Sequence, residues 1–189
     1  MITRFDSEYA AGVEAYAAML RAGCVCFAAD ARYDKRRRAL NRMQIATPSG
    51  RQTLTVPLAR PHASQLVADV AIAEHANWRH NHWGALYSAY GRTPFFEYFA
   101  DDLRNIIFDE SKTRIFDLNL AIHNAVVDFL DLPITTVADT ADAVSADIVP
   151  LPGKYYQIWQ ARHGFISSLS ILDLLFNVGR EAVLFLSNK

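Results

Sequence analysis

The chemistry that stands out first is a run of cations in "YDKRRRALNR": Lys35, Arg36, Arg37 and Arg38 are consecutive, and Arg42 follows four residues later. The run falls between two stretches that read as strands, and loops that follow strands carry the ligand sites of α/β proteins. Lys35, Arg38 and Arg42 could together neutralise a diphosphate or a carboxylate, with arginine supplying bidentate hydrogen bonds. Spacing alone favours the plainer alternative, a solvated basic turn. The chain's net charge of −1 removes the broad electrostatic case for nucleic acid, so the expected partner is an anionic small molecule.

The second candidate is "EHANWRHNHW", with His75, His80 and His82. On a helix, residues two apart point about 200° apart around the axis, so His80 and His82 cannot easily share an ion, and no metal site is expected. His82 lies four residues after Trp78 and four before Leu86, on the apolar face. That placement favours a hydrogen-bonded wall histidine, and it leaves His82 as the candidate general base because imidazole titrates near neutrality. "KYYQIWQARHGF" sets Gln157 and Arg162 among aromatic residues, a composition suited to a small polar ligand, although packing explains it too. The aromatic run "TPFFEYF" reads as core or interface at helical spacing.

In "SSLSILDLLFNVG", Ser170, Asp173 and Asn177 interrupt an apolar stretch. Ser170 followed three residues later by Asp173 fits a capping box, and Gly179 fits a left-handed stop, so a helix with tied ends explains the pattern as well as a pocket does. There is no phosphate-cradling glycine loop and no nucleophile elbow, so the common nucleotide-triphosphatase, dinucleotide and hydrolase classes lose ground. Cys24 and Cys26, two apart with apolar flanks, read as free buried thiols on one face of a strand.

These groups need elements to hold them. A strand over Ile2 to Phe5 and a helix over "SEYAAGVEAYAAMLRAG", capped by Ser7 and stopped by Gly23, are expected first. Three strand-like stretches follow: "CVCFAA", a hairpin "MQIATPSGRQTLTVPL" turning at "PSG", and "VADVAIA". From Asn77 the period becomes helical, with Asn77 and Gly91 bounding one helix and Thr93 and Pro94 opening the next. A third helix, "RIFDLNLAIHNAVVDFLD", puts Ile115, Leu118, Ile122, Val126 and Phe129 on one stripe. The fold class is therefore α/β or α+β, a small mixed sheet from the N-terminal half with a largely helical C-terminal half packed on it. One domain over 1–189 is expected, with a flexible loop at 138–153 that is rich in Ala, Asp and Thr. With 51% apolar and 21% charged residues, no apolar leader and no run near 20 apolar residues, a soluble, cytoplasmic protein is expected. The aromatic surplus is compatible with a homodimer.

Several segments, taken in order, resemble the WbqC-like family of bacterial proteins, found among genes for O-antigen and other surface polysaccharides. The basic segment with "NRMQI" and "LTVPL" is similar to its first block through Tyr33, Lys35, Asn41, Arg42, Leu54 and Pro57. "WRHNHWGALYSAYGRTPFFEYF" is similar to the second through Trp78, His82, Ala89, Tyr90, Pro94 and Phe96, supported by "DLNLAI". "YYQIWQARHGFISSLSILDLLFNVG" is similar to the closing block through Tyr156, Gln157, Phe165, Leu169, Ser170, Asp173, Asn177 and Gly179. Two departures stand out: a His-Gln-Pro turn common at the family's start is "ITRFDSEYAAG" here, and Ser167 and Ser168 replace a Pro-Asn pair.

The resemblance implies a role in surface-glycan synthesis, with transfer of a glycyl or other acyl group to an amino sugar. The site it implies binds a nucleotide sugar near Lys35, Arg38, Asn41, Arg42, Tyr90, Gln157, Ser170 and Asp173. In it Lys35 and Arg42 neutralise phosphate, His82 is the base, and Tyr90 and Gln157 orient the substrate. The cofactor is not specified. The rival readings are a non-catalytic binding or assembly protein of a glycan-biosynthesis complex, and a metal-dependent nucleotidyltransferase using the same basic cluster.

Overall fold

The computed structural model describes residues 1–151 and 153–187. Strand β1 (Thr3–Phe5) leads through helix α1 (Val13–Ala22) to β2 (Cys24–Phe27), and β3 (Arg42–Thr47) and β4 (Gly50–Thr55) form a hairpin. Helices α2 (Trp78–Tyr90), α3 (Phe96–Phe108) and α4 (Ile115–Leu130) follow. The chain then forms β5 (Thr135–Thr136), β6 (Val144–Ser145), and helices α5 (Gln160–His163), α6 (Ile171–Val178) and α7 (Ala182–Ser187). The fold is mixed α/β, as the patterning implies, with the helices mostly in the C-terminal half.

Four strands make a wholly parallel sheet in the order β5-β2-β1-β6. Successive connections run from β1 to β2 to β5 in one direction, and β6 then returns to the opposite side of β1. The order therefore reverses between β1 and β6. Such a switch point opens a crevice at the carboxyl ends of the strands, because the loops on either side of it leave in opposite directions. β2 lies inside the sheet and is apolar throughout, with Val25 and Cys26 fully buried, as a parallel strand covered on both faces must be. Cys24 and Cys26 are both free thiols.

The helical core centres on α6, whose residues from Ile171 to Asn177 are all buried. A helix apolar nearly all round cannot face water, and α6 packs against α1, α2, α3, α7 and β3. The predicted stripe on α4 is buried at Ile115, Leu118, Ile122 and Val126, with Phe129 half-buried. Gly179, after α6, takes φ +60°, and its hydrogen lies where a Cβ would come within 2.7 Å of Cγ and Cε1 of Phe95.

Two expectations need correction. "VADVAIA" is not a strand: Val67–Asp69 is a 3-10 turn, and Val70 O and Ile72 N bond instead to Ile115 N and Thr113 O at the start of α4. Ser7 does not cap α1, because Ala10 turns the chain through φ +44° and the helix starts only at Val13, after Gly12. Within 138–153 the chain joins the sheet as β6, and Ala146 N–H donates to Arg4 O at 2.8 Å. Pro152 of that segment lies outside the described residues. Among the described residues no helix is long and apolar enough to cross a membrane.

Candidate functional site

The turn after β1 carries Asp6, Ser7 and Glu8, and it faces Ala28 and Ala31 after β2 and Ala146 and Ile148 after β6. The basic segment closes the opposite wall. Two adjoining cavities there, of ≈ 210 Å³ and ≈ 310 Å³, share Asp6, Glu8 and Arg37. A third, of ≈ 200 Å³, runs from Glu8 along α1 to Arg42, Gln44 and Ser170. Glu8 lines all three.

The electrostatics divide sharply. Arg4 on β1 pairs with Asp30 and with Asp139 (2.6 Å), and Asp139 also accepts from Ala29 N–H at 3.0 Å, which ties the sheet's carboxyl edge together. Arg37 pairs with Asp6 across the crevice mouth. Arg36 pairs with Asp34 and holds that carboxyl down at about 2, through hydrogen bonds from its side chain and backbone. Lys35, Arg38 and Arg42 are exposed and make no ion pair among the described residues. Arg38 lines the crevice, Arg42 the third cavity, and Lys35 the open concave face beside them. Asn41 is occupied structurally: its Nδ2 donates to Val56 O at 2.7 Å.

Glu8 is only half-buried by surface, yet burial raises its proton affinity, and the Asp6 and Glu14 carboxylates push the same way against the Gly12 backbone N–H. Behind it, Asn119 on α4 donates from Nδ2 to Ser7 Oγ (3.0 Å) and Leu40 O (2.9 Å). That is where the expected capping serine spends its hydroxyl.

The other expected site residues lie elsewhere, inside the helical core. The fully buried Asp173 accepts from Tyr90 Oη at 2.7 Å on Oδ1, and from Tyr155 Oη (2.7 Å) and Gln157 Nε2 (3.0 Å) on Oδ2. Tyr90 Oη accepts from Ala46 N–H, and Gln157 bonds both ways to the Ile166 backbone. Burial raises Asp173's proton affinity while these three donors lower it. Ser170 is a helix cap, its Oγ accepting from Leu172 N–H at 3.2 Å, but Asp173 does not complete a capping box because its carboxylate serves this network. Asn177 holds the same helix, accepting from Ile158 N–H and donating to Asp173 O.

His82 is also internal. Its Nε2 faces Thr55 O at 3.2 Å, an acceptor, which places the ring proton there and leaves Nδ1 to accept from Tyr9 Oη at 3.0 Å. Burial depresses its pKa to about 4. Both nitrogens are engaged and the ring is neutral, so the geometry makes His82 the anchor of Tyr9, which lines the third cavity. Neither nitrogen is free to take a proton from a ligand.

The structure thus brings Arg38 to the crevice, Arg42 and Ser170 to the wall of the third cavity, and Lys35 to the open face beside them. It puts His82, Tyr90, Gln157 and Asp173 in internal networks. Sequence reasoning missed Asp6, Ser7 and Glu8, whose only local mark is a polar turn after the first strand. It also missed Asn119 and His123, a polar pair four residues apart on the buried face of α4. Ser168, where the resemblance implies an asparagine, adopts φ +52°, a left-handed conformation that asparagine tolerates well. Its Oγ donates to Glu14, and its carbonyl with that of Ser167 accepts from Arg51. The substitution therefore falls at a backbone turn.

Comparison with known proteins supports the first two sequence blocks, and the closing block lies beyond the matched family region. A Mycobacterium tuberculosis protein (strain ATCC 25618 / H37Rv), described as uncharacterized protein Rv1507c, is 28% identical over 186 aligned residues, covering 75% of this chain and 78% of that protein. No solved structure matches. The model of the WbqC-like protein family matches residues 13–148, from α1 through the strand that closes the crevice, including the whole basic segment. With most of its length matched, the chain belongs to the WbqC-like protein family.

Proposed function

We propose that this protein acts in bacterial surface-polysaccharide (O-antigen) biosynthesis, in the cytoplasm, by binding a nucleotide-linked amino sugar in the crevice and transferring an aminoacyl (glycyl) or other acyl group to it. One observation carries the reading: Arg38 at the strand-end crevice of a parallel sheet, Arg42 on the adjoining cavity and Lys35 on the open face beside them are three cations without carboxylate partners among the described residues. Two guanidinium groups and an ammonium match the charge and the bidentate geometry of a diphosphate. The neighbouring cations, Arg36 and Arg37, are already neutralised and serve the shape of the segment. In transfer, the sugar amine attacks the acyl carbonyl, a C–N bond forms, the donor's leaving group departs and the amine gives up a proton. His82 shapes the wall through Tyr9, and Asn41, Tyr90, Gln157, Ser170 and Asp173 hold that wall in place.

The test is a thermal-shift series with uridine diphosphate sugars, inorganic pyrophosphate and acyl donors. A ligand that binds only the folded protein stabilises it by about 2.7 kcal/mol at a hundred times its Kd. Arg38→Ala with Arg42→Ala should abolish the shift and leave the unliganded melt within about 0.5 kcal/mol, the usual size of a surface change. No shift with any nucleotide sugar refutes the reading. A second reading, a non-catalytic assembly protein, gains from the internal commitment of His82, Tyr90, Gln157 and Asp173 and from Tyr87 and Tyr98, exposed at 62% and 64%. Co-purification with a glycosyltransferase, with no ligand-induced shift, would favour it.

A further inference from the structure

Ser7, Glu8, Asn119 and His123 enclose a small cavity between the β1 turn, α1 and α4, with ≈ 10 Å³ open to the centre of a water molecule. That is the size of a single water site. Two buried polar atoms on residues lining it, Asn119 Oδ1 and His123 Nδ1, have no hydrogen-bond partner among the described residues, although their residues are only 4% and 5% exposed. Asn119 cannot resolve this by flipping, because its Nδ2 already donates to Leu40 O, and a flip would set two oxygens against each other. The imidazole is likewise fixed from its other side by Thr136 Oγ1 at 3.1 Å. Buried polar groups in native proteins find partners, and here only a water fits.

Ser7 and Glu8 border both this inner cavity and the crevice, and of the two only Glu8 is ionisable. From its own turn Asp6 faces it, from α1 Glu14 and Tyr16, and from α4 His123; Arg4, Arg37, Arg38 and Arg42 line the same cavities from the other walls. Among the described residues no guanidinium is within ion-pair distance of its carboxylate.

We infer that the inner cavity is a one-water site, that Glu8 is the group exchanging a proton with the crevice's occupant, and that Ser7, Asn119 and His123 are positioning residues acting through the water. When Glu8 accepts, a proton leaves an N–H or O–H of the ligand for a carboxylate oxygen, and the electron pair stays on the ligand atom. When it donates, the reverse occurs at a departing group. Burial, which already favours the protonated carboxyl, suits it to either task. The inference rests on the proposed function only in placing the ligand in the crevice.

The titration of Glu8 is measured directly by carboxyl carbon NMR on the full chain, assigned by the signal lost in Glu8→Gln. A midpoint above the ordinary value of about 4.3 is expected, and one at or below it overturns the inference. A high-resolution crystal structure should show a water bonded to Asn119 and His123; an empty cavity overturns the water site. Asn119→Leu and His123→Phe should each move the Glu8 midpoint by at least half a pH unit, whereas Val126→Ala, also on α4, should not. An unmoved midpoint removes the positioning roles, and if either variant fails to fold, the wild-type titration and the water decide. Calorimetric binding of inorganic pyrophosphate, in two buffers of different ionisation heat, should show proton uptake that Glu8→Gln removes. Absence of pyrophosphate binding sinks the nucleotide-sugar reading and leaves the Glu8 titration to stand or fall alone.

Discussion

Acid should unfold this protein through two imidazoles. His82 and His123 are 4% and 5% exposed, and burial depresses each pKa from 6.5 to about 4. A histidine depressed in this way binds its proton less readily folded than unfolded, so the stability it contributes is present above pH 6.5 and is lost as the pH falls toward 4. Between pH 7 and about pH 4.5, the linkage relation gives a loss of about 2 kcal/mol for each ring and about 4 for both. Against a total of about 5–15 kcal/mol for a domain, that is a large fraction. Glu8 and Asp173 work in the opposite sense, because burial raises their proton affinity and acid relieves them. Asp34 and Asp109, held at about 2, contribute only below this window.

The histidine contribution is isolated by difference. Urea denaturation followed by tryptophan fluorescence is measured at both pH values for the wild type, His82→Gln, His123→Gln and the double variant. Glutamine keeps an N–H to offer Thr55 O or Thr136 Oγ1 and cannot titrate. Each single variant should lose about 2 kcal/mol less than the wild type on acidification, and the double variant about 4 less. Trp78, whose ring lies 5.2 Å from that of His82, reports locally. Equal losses in wild type and double variant would refute the buried, neutral state of both rings, and with it the exclusion of His82 from proton transfer.

Two other substitutions probe the frame. Asp173→Asn turns an N–H2 toward donors at Tyr155 and Gln157 or at Tyr90, and should cost about 3 kcal/mol in chemical denaturation, the scale of an unsatisfied buried group; a variant as stable as wild type would refute the network. Gly179→Ala combines a positive φ with a Cβ driven into the Phe95 ring, and a fall in Tm equivalent to about 2–4 kcal/mol is expected, whereas a loss under 1 kcal/mol would mean that Phe95 moves freely.

Local pattern made much of this legible. The stripe on α4, the hairpin at "PSG" and the Ser170 cap follow from side-chain period and local hydrogen bonding, which a short window of sequence contains. β5 and β6 have two residues each and no period to read, and they exist because β2 and β1 offer parallel edges more than a hundred residues earlier. Without β6 there is no reversal of strand order, and without the reversal nothing marks the β1 turn as a crevice. "VADVAIA" shows the converse: its alternation is real, but its backbone groups are divided among the start of α4, residues 57–59 and residues 29–31 instead of one continuous sheet neighbour.

Asp173 and Glu8 show why composition could not choose the site. Both are carboxylates whose proton affinity burial raises. Asp173 stands in a memorable apolar run, yet three donors satisfy it and no cavity reaches it among those found, so its charge serves to pin α6 to α2 and to the segment before α5. Glu8 stands in an unremarked turn, opens on the crevice, and faces like charges from Asp6 and Glu14. A carboxylate held by strong donors gives up its bonds to react and is costly to disturb; one left short of partners beside a cavity gains by exchanging a proton there. The functional signal is therefore the incompleteness of a polar group's partners at a strand-end crevice, a property of the folded chain that no residue type or spacing contains.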